Sequence, residues 1–339
     1  MKYLVVGDPH LRPEDLASGE GDALMGLVLK LALEAQVDRV VFLGDLFHTF
    51  SLVHVEVLAF WRRWLARLVA EMRPRAQKVI HQSVFVLRGN HDGPHDPIDG
   101  VSALNALQMD GVWVIDTLVD LDGIAWVPYC RDNTKFVAAC AIASDRKTVY
   151  CHQEFNGCSY DNGFYSSVGV DPEAINQTTV ISGHIHDGQE FGKIWYPGAP
   201  RWLTASDVNK NRFLWVVEHG DDGAVLSRKS YPTDGVCARM VEVNDLETAP
   251  TAPESLPANC KVVVNIRGTK AWLEARVALW AGTGARIRTY EDRPTKAVEV
   301  RESQGIGTAF RSWRTAYKPR FGADPKALAA MADALNANL

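Results

Sequence analysis

Five short motifs in the N-terminal part of the sequence combine carboxylate, amide and imidazole side chains, and each follows an apolar segment. In chain order they are GDPH, GDLFH, GNHD, YCHQE and SGHIH, which supply Asp8, His10, Asp45, His48, Asn90, His91, Asp92, His152, His184 and His186. Five such motifs in one chain are hard to ascribe to coincidence, so we interpret them as one metal-dependent site. The remaining histidines, His54, His81, His95 and His219, fit no spacing and are predicted to lie at the surface.

The types and spacing of these residues indicate two divalent ions. Asp8/His10 and His184/His186 are each two residues apart, and in extended chain such residues point the same way, so each pair can bind one ion. Asp45 is the second carboxylate and could bridge the ions. Imidazole, carboxylate and one amide oxygen favour Mn, with Fe, Zn or Mg as alternatives. Two ions about 3.5–4 Å apart bind a phosphate group between them and stabilise in-line displacement at phosphorus.

The segments that precede the motifs alternate between strand and helix. YLVVG, RVVFLG and SVFVLRG are predicted strands, and amphipathic helices are predicted at 24–35 and from about 54 to 72. This pattern predicts a layered α/β fold with mainly parallel strands, in which ligands bind beyond the carboxyl ends of the strands. Closely spaced strands after Val112 predict a second sheet, so we expect two sheets packed face to face between flanking helices.

A change of composition near residue 245 predicts a domain boundary. The segment DLETAPTAPESLPANC contains three prolines and no core pattern, and a strand–helix–strand pattern follows it. We predict a phosphoesterase domain at 1–244, a linker at 245–258, a small α/β capping domain at 259–308 and C-terminal helices at 309–339.

Composition limits the classes of function. The chain of 339 residues is 47% hydrophobic, which suits a globular protein, and its net charge of −5 restricts any contact with nucleic acid to local patches. The six cysteines form no CxxC pair, which is typical of reduced thiols in a cytosolic protein. No segment approaches the about 20 apolar residues of a membrane span, and no signal peptide is visible. We therefore expect a cytoplasmic protein (in the host cytoplasm if it is phage-encoded) without a membrane partner.

The ordered motifs DPH, GD, GNHD, H and GHIH resemble the calcineurin-like metallophosphoesterase superfamily over about residues 1–220. The resemblance implies a two-sheet sandwich flanked by helices and two bound metal ions. One ion would be held by Asp8, His10, Asp45 and His186, and the other by Asp45, Asn90, His152 and His184. His91 would lie just outside these ligands as a general acid or phosphate clamp.

His48 indicates a particular branch of that superfamily. Phosphoprotein phosphatases carry a GDxxDRG pattern, with Asp at the position of His48, whereas a His there resembles SbcD-type DNA nuclease subunits. The resemblance implies that His48 positions DNA or phosphate, and the alternative is that it only supports Asp45. It also implies a two-metal exonuclease or endonuclease that serves as catalytic subunit of an SbcCD-like recombination and repair complex. Its partners would be DNA and an SbcC-type coiled-coil ATPase, and a homodimer is compatible with it.

Two basic segments could contact DNA, although each has an ordinary structural alternative. The predicted helix at 54–72 carries Arg62, Arg63 and Arg67, and the tail carries Arg311 and Arg314 among aromatic residues. Basic residues bind phosphates without reading sequence, and aromatic rings can stack on bases. A charged helix face is more often simply solvated. In the tail, Phe310, Trp313, Tyr317, Leu328, Met331 and Leu335 form apolar stripes that we predict to bind the ATPase, unless they fold back onto the cap.

Two other functions compete with the nuclease. A small-molecule or cyclic-nucleotide phosphodiesterase would share the fold but would need neither a cap nor a partner, so the chain beyond residue 245 argues against it. A non-catalytic scaffold subunit would tolerate broken metal positions, and here every expected position is filled.

Overall fold

The computed structural model describes residues 1–50, 52–72, 83–93, 102–160, 163–255 and 260–292. The first half contains β1 (Lys2–Val6), α1 (Pro13–Ala17), α2 (Glu20–Glu34), β2 (Arg39–Phe42), α3 (Val55–Met72), β3 (Val84–Leu87) and β4 (Val112–Ile115). Then follow β5 (Val119–Leu121), β6 (Ile124–Val127), α4 (Asn133–Ile142), β7 (Thr148–His152), β8 (Thr179–Gly183), β9 (Gln189–Phe191) and β10 (Ile194–Tyr196). The remaining elements are β11 (Phe213–His219), β12 (Val225–Pro232), β13 (Arg239–Leu246), β14 (Cys260–Gly268), α5 (Lys270–Trp280) and β15 (Arg286–Glu291).

Two six-stranded sheets form the main body, which confirms the predicted α/β sandwich. The first has the order β12-β11-β1-β2-β3-β4, and β1 to β4 are parallel while β11 runs antiparallel to β1. The second has the order β5-β6-β7-β8-β10-β9, and its four central strands are parallel. Parallel strands end at the same edge of a sheet, so the loops after β1, β2 and β3 are neighbours, as are those after β7 and β8.

Large apolar side chains fill the space between the sheets. Tyr3 and Phe85 of the first sheet meet Trp126 and Tyr150 of the second, and the Trp126 and Tyr150 rings stack at 4.6 Å between centroids. The outer face of the first sheet is covered by α2 and α3, and α4 covers the second. Each sheet is therefore buried on both faces, which explains why its central strands read as continuous apolar runs.

A third, smaller sheet has the order β13-β14-β15 and carries α5. The predicted strand, helix and strand of this region are confirmed as elements. An additional strand, β13, pairs in parallel with β14 over its whole length and extends from the range 1–244 into the predicted linker. Its sequence is half polar, and Asp245 is buried because it accepts hydrogen bonds from Arg276 and Trp280. The domain boundaries themselves stay predictions.

Two negative findings hold for the described residues. None of their helices combines the length and the apolar character needed to cross a bilayer. All six cysteines are described, and none of them forms a disulfide bond.

His219 was predicted to lie at the surface, and this was wrong. Its side chain is buried at the end of β11, where its Nδ1 donates to the Gly223 carbonyl (3.0 Å) and its Nε2 accepts from the Tyr150 hydroxyl (2.8 Å). Both ring nitrogens are thus satisfied in the neutral form. Burial lowers the pKa of His219 to about 4.

This buried histidine predicts an acid-dependent loss of stability. In the unfolded chain a histidine has a pKa of about 6.5, so between about pH 6.5 and 4 only the unfolded state takes up the proton. Stability should fall through that window, by about 2 kcal/mol between pH 7 and pH 5. Urea unfolding of the wild type and His219→Leu at both pH values measures it. The variant should lose less stability than the wild type on acidification, and equal losses would contradict the assignment.

Candidate metal centre

The seven side chains predicted as metal ligands come together where the carboxyl ends of β1, β2, β3, β7 and β8 meet. Asp8, His10, Asp45 and His152 are buried, whereas His184 and His186 have partly exposed side chains. The site thus has a buried floor and an open side. This arrangement suits an ion that must contact both the protein and a substrate.

The first group of close contacts centres on His10. Its Nε2 lies 3.0 Å from Nε2 of His186 and 3.3 Å from Oδ2 of Asp45. Nε2 of His186 lies 4.0 Å from Oδ2 of Asp8. These four residues are the set that the sequence resemblance implies for one ion.

The second group centres on Asn90. Its Oδ1 lies 2.9 Å from Nε2 of His152 and 2.8 Å from Nδ1 of His184. Nε2 of His152 is also 3.3 Å from Oδ2 of Asp45, so Asp45 belongs to both groups. Nδ1 of His152 also lies 3.7 Å from Oδ1 of Asp8, so contacts run between the two groups, and the division of the seven side chains between two ions stays a prediction.

His91 lies beside the first group. Its ligand atom and those of His10 and Asp45 are within 4.8 Å of one another, a grouping that could itself hold an ion. Nδ1 of His91 is 2.7 Å from the carbonyl oxygen of His48. A carbonyl only accepts, so Nδ1 donates and Nε2 remains as the nitrogen that can exchange a proton.

The His48 ring lies next to that of His91. The two rings are stacked at 6.2 Å with an interplanar angle of 26°, and Nη2 of Arg12 is 3.4 Å from Nδ1 of His48. A guanidinium only donates, so Nδ1 accepts and Nε2 carries the proton. Burial, followed by the nearby Arg12 charge, lowers the pKa of His48 to about 4, which makes the ring a neutral N–H donor at neutral pH.

Hydrogen-bond chemistry indicates that the cluster fits a cation. Nδ1 of His152 donates to the Leu43 carbonyl (2.8 Å), so Nε2 of the neutral ring presents a lone pair to Asp45 and Asn90 oxygens that also only accept. Oδ1 of Asp8 is buried and has no hydrogen-bond partner among the described residues. A positive charge bound between acceptors that converge in this way would remove the repulsion between them.

The pKa shifts of the buried groups also indicate that the cluster favours a bound positive charge. Burial alone would lower the pKa of His152, but Asp45 and Asp8 raise it to about 9, so a proton takes the place of a metal ion there. Burial raises the pKa of Asp8 to about 7. Burial would also raise the pKa of Asp45, yet His152 and His10 hold it well below its usual range. Divalent ions are the expected occupants, since oxygen and imidazole donors of this mixture bind them.

Backbone hydrogen bonds join each motif to another. Oδ2 of Asp8 accepts from the His184 amide, and Oδ1 of Asp45 accepts from the His91 amide, both at 2.7 Å. The Asp92 carboxylate accepts from the amides of Asp45 (2.8 Å), Leu46 (2.9 Å), Phe47 (3.4 Å) and Gly89 (2.9 Å). One oxygen of Asp8 and one of Asp45 therefore remain directed at the cluster.

Unusual backbone conformations direct three of these side chains. His10, Asp45 and His184 have φ angles of 45°, 50° and 82°, in the left-handed region that costs an L-residue about 1–2 kcal/mol. Two neighbouring glycines provide the space. A Cβ on Gly89 would lie 2.2 Å from Oδ1 of Asp45, and one on Gly183 would lie 2.6 Å from Oδ1 of Asp8.

Several residues at the site were not predicted from the sequence. Arg12 is described above, and Asp92 belongs to a predicted motif, but its role as acceptor of backbone amides was not predicted. Glu154 lies with Oε2 3.8 Å from Nε2 of His184, and hydrogen bonding by His184 lowers the pKa of Glu154 to about 2. The Tyr129 ring stacks on His184 at 5.9 Å. Arg12 and Glu154 each lie two residues after a predicted ligand, which is the one sequence signal that could have indicated them.

The predicted DNA-binding arginines of α3 lie away from the sheets on the exposed side of that helix. Arg62 donates to the Ala106 carbonyl, Arg63 contacts Asp22 at 2.9 Å, and Arg67 lies over the Trp64 ring at 4.8 Å. All three are thus partly engaged within the protein, and a DNA-binding role stays a prediction. Other predicted residues lie outside the described residues: Arg311, Arg314, Phe310, Trp313, Tyr317, Leu328, Met331 and Leu335.

Comparisons with known proteins identify the class of this chain. The family model described as calcineurin-like phosphoesterase matches residues 1–188 of 339, more than half of the chain. No curated protein matches. A hypothetical protein from Thermus thermophilus is among the similar solved structures, with 13% identity over 68% of this chain and 98% of that chain and a TM-score of 0.36.

The fold and the matched residues define a metal-dependent phosphoesterase. The chain belongs to the calcineurin-like phosphoesterase family, whose members use divalent metal ions. It is accordingly a hydrolase of the phosphoester type.

The tight packing of Gly183 predicts that a single methyl group disrupts the centre. A Cβ there would lie 2.6 Å from Oδ1 of Asp8 and 2.7 Å from Nδ1 of His152, so Gly183→Ala should lose one or both ions. Manganese content after dialysis, measured by elemental analysis, tests this.

Gly26→Ala is the matched control, because its Cβ would meet nothing within 4 Å on helix α2. This control should bind metal normally and gain about 0.5–1 kcal/mol of stability. Full metal content in Gly183→Ala would contradict the geometry.

Proposed function

We propose that this phosphoesterase is a two-metal DNA nuclease, the catalytic subunit of an SbcCD-like complex for DNA end processing and recombination. The observation that carries the proposal is the His48 ring, stacked on His91 and contacted by Arg12 at the edge of the cluster. A phosphodiester inside a DNA strand has substituents on both sides of the phosphorus. Such a substrate extends beyond the ions, so hydrogen-bond donors at the edge of the cluster, such as His48 and Arg12, are well placed to contact it.

The roles of the side chains follow from their hydrogen bonds. Manganese ions, when bound by the seven residues, supply charge neutralisation of the phosphate and activation of water. His91 is held by the His48 carbonyl, so its Nε2 can give a proton to the leaving oxygen. His48 offers a neutral N–H to a phosphate oxygen, and Arg12 holds the tautomer that does so.

The small sheet supports a capping role. A cavity of about 500 Å³ lies between the loop after β1 and this sheet, and its lining includes Arg12, Lys261 and Arg286. Lys261 of β14 donates to Glu20 of α2 (2.9 Å), which holds the sheet against the main body. Glu14 and Asp15 also line the cavity, but four basic side chains outnumber them, and a cavity of this charge that begins at Arg12 would suit the phosphate backbone of a strand that leaves the centre.

The proposed partner is an SbcC-type coiled-coil ATPase, bound through the apolar stripes predicted in the range 309–339. A homodimer of the chain is compatible with such a complex. The proposed enzyme needs DNA and the ATP of its partner in one compartment, so we propose that it acts in the cytoplasm.

His48→Ala tests the nuclease assignment. The variant should keep its manganese, because no predicted ligand is lost, and it should lose at least about tenfold in kcat/KM on linear duplex DNA, the loss of one charge-assisted contact. Activity on bis(p-nitrophenyl) phosphate should fall much less.

Asp45→Ala is the control for the metal centre and should abolish both activities. Equal losses of both activities in His48→Ala, with lost manganese, would make His48 a support for Asp45. A wild type that hydrolyses the small diester but no DNA would indicate a small-molecule phosphodiesterase.

Truncation after Gly307 tests the partner. The shortened chain should cleave short DNA in the presence of manganese, because every predicted ligand remains. It should no longer co-purify with the co-expressed ATPase, and ATP should no longer stimulate its nuclease activity. Retained binding would place the interface elsewhere in the chain.

A further inference from the structure

An exposed phenylalanine lies directly against the predicted general acid. The Phe50 ring is 5.7 Å from that of His91, with an interplanar angle of 81°, and 48% of the residue remains accessible. It follows His48 on the loop between β2 and α3. On the same loop Phe47 is buried, whereas Leu52 and Val53 are exposed.

An isolated exposed apolar residue is ordinary on a protein surface. Phe50 differs because one of its neighbours is a residue of the centre, while about half of the residue remains accessible. A ring in this place lies one side chain beyond the group that would contact the leaving oxygen. In a nucleic acid, the first apolar surface met beyond the scissile phosphate is the face of the adjacent base.

We propose that Phe50 is a specificity-determining residue that stacks on the base next to the scissile phosphate. The inference rests on the proposed nuclease function and deepens it, since it assigns a preference for unpaired nucleotides. Inside a duplex the face of a base is covered by its neighbours, so a base can reach Phe50 only at a frayed end or in a single strand. Stacking is tolerant of sequence because every base has such a face.

The opposite side of the centre has a comparable surface. The Tyr129 ring stacks on His184 at 5.9 Å with an interplanar angle of 23°, and Tyr129 is half-buried. His91, beside the first group, and His184, in the second group, thus each have an aromatic neighbour. An extended strand that crosses the cluster would meet Phe50 at the side of His48 and His91.

Matched dinucleotides isolate the contribution of the base. Thymidylyl-(3′→5′)-thymidine is compared with the two analogues in which either the 5′ or the 3′ nucleoside is replaced by 1,2-dideoxyribose, so that each analogue lacks one base. Phe50→Leu keeps an apolar side chain without a ring face. It should lower kcat/KM about tenfold for the full dinucleotide and should leave nearly unchanged the analogue that lacks the base on the leaving side.

Two variants control for indirect effects. Phe50→Trp should retain or increase the preference for the base. Phe164→Leu changes another exposed phenylalanine and should leave kcat/KM unchanged for every one of these substrates. A second readout needs no turnover. In EDTA, the fluorescence of a single strand that contains 2-aminopurine should be quenched when the strand binds the wild type or Phe50→Trp. At equal saturation, binding to Phe50→Leu should quench this fluorescence less.

The outcomes separate this inference from the proposed function. If the wild type cleaves DNA but Phe50→Leu changes the dinucleotide and both analogues alike, the stacking role is overturned and the nuclease stands. If the wild type hydrolyses the dinucleotide no faster than either analogue and does not cleave DNA, the nuclease proposal fails as well. Unchanged quenching in Phe50→Leu would also overturn the stacking role.

Discussion

The Asp92 carboxylate is the interaction on which the centre depends. It is buried, and its two oxygens accept hydrogen bonds from four amides of the loops after β2 and β3. Those amides lie at turning points of the chain, where strand pairing no longer satisfies them. Burial, followed by the Asp45 charge, raises the pKa of Asp92 to about 6, and the amides counter part of that shift. Without this residue the loops that carry Asp45 and His48 would lose their common anchor.

A fixed backbone allows the centre to hold groups that repel one another. In the neutral ring of His152 the Nε2 lone pair would meet two further acceptors, Oδ2 of Asp45 at 3.3 Å and Oδ1 of Asn90 at 2.9 Å, and a proton or a metal ion at Nε2 relieves this repulsion. The unfavourable φ angles of His10, Asp45 and His184 add strain to this electrostatic cost. Sheets that are buried on both faces supply the rigidity that makes such an arrangement persist. The binding of divalent ions would convert the convergence of acceptors from a cost into the source of affinity.

The sequence predicted the fold and the composition of the centre because both depend on local patterns. Apolar runs before Asp8, Asp45 and Asn90 predicted parallel strands, and parallel strands bring their ends together. The left-handed backbone of His10 was not predictable, since it depends on contacts between loops far apart in the chain. Strand β13 escaped notice because its half-polar sequence has no continuous apolar run; it is held by its pairing with β14 and by the contact of Asp245 with Arg276.

In the loop after β2, the backbone that orients His91 is distinct from the side chains that we propose to select the substrate. His91 is oriented by the backbone carbonyl of His48, so its tautomer does not depend on which side chain stands at that position. Asp92 fixes the same backbone through Leu46 and Phe47. The side chains of His48 and Phe50 can therefore vary without loss of the hydrogen bond that orients His91. If they contact the substrate as proposed, a substitution there would change which substituents of the phosphate are accommodated, and this independence would allow one metal centre to serve different classes of phosphoester.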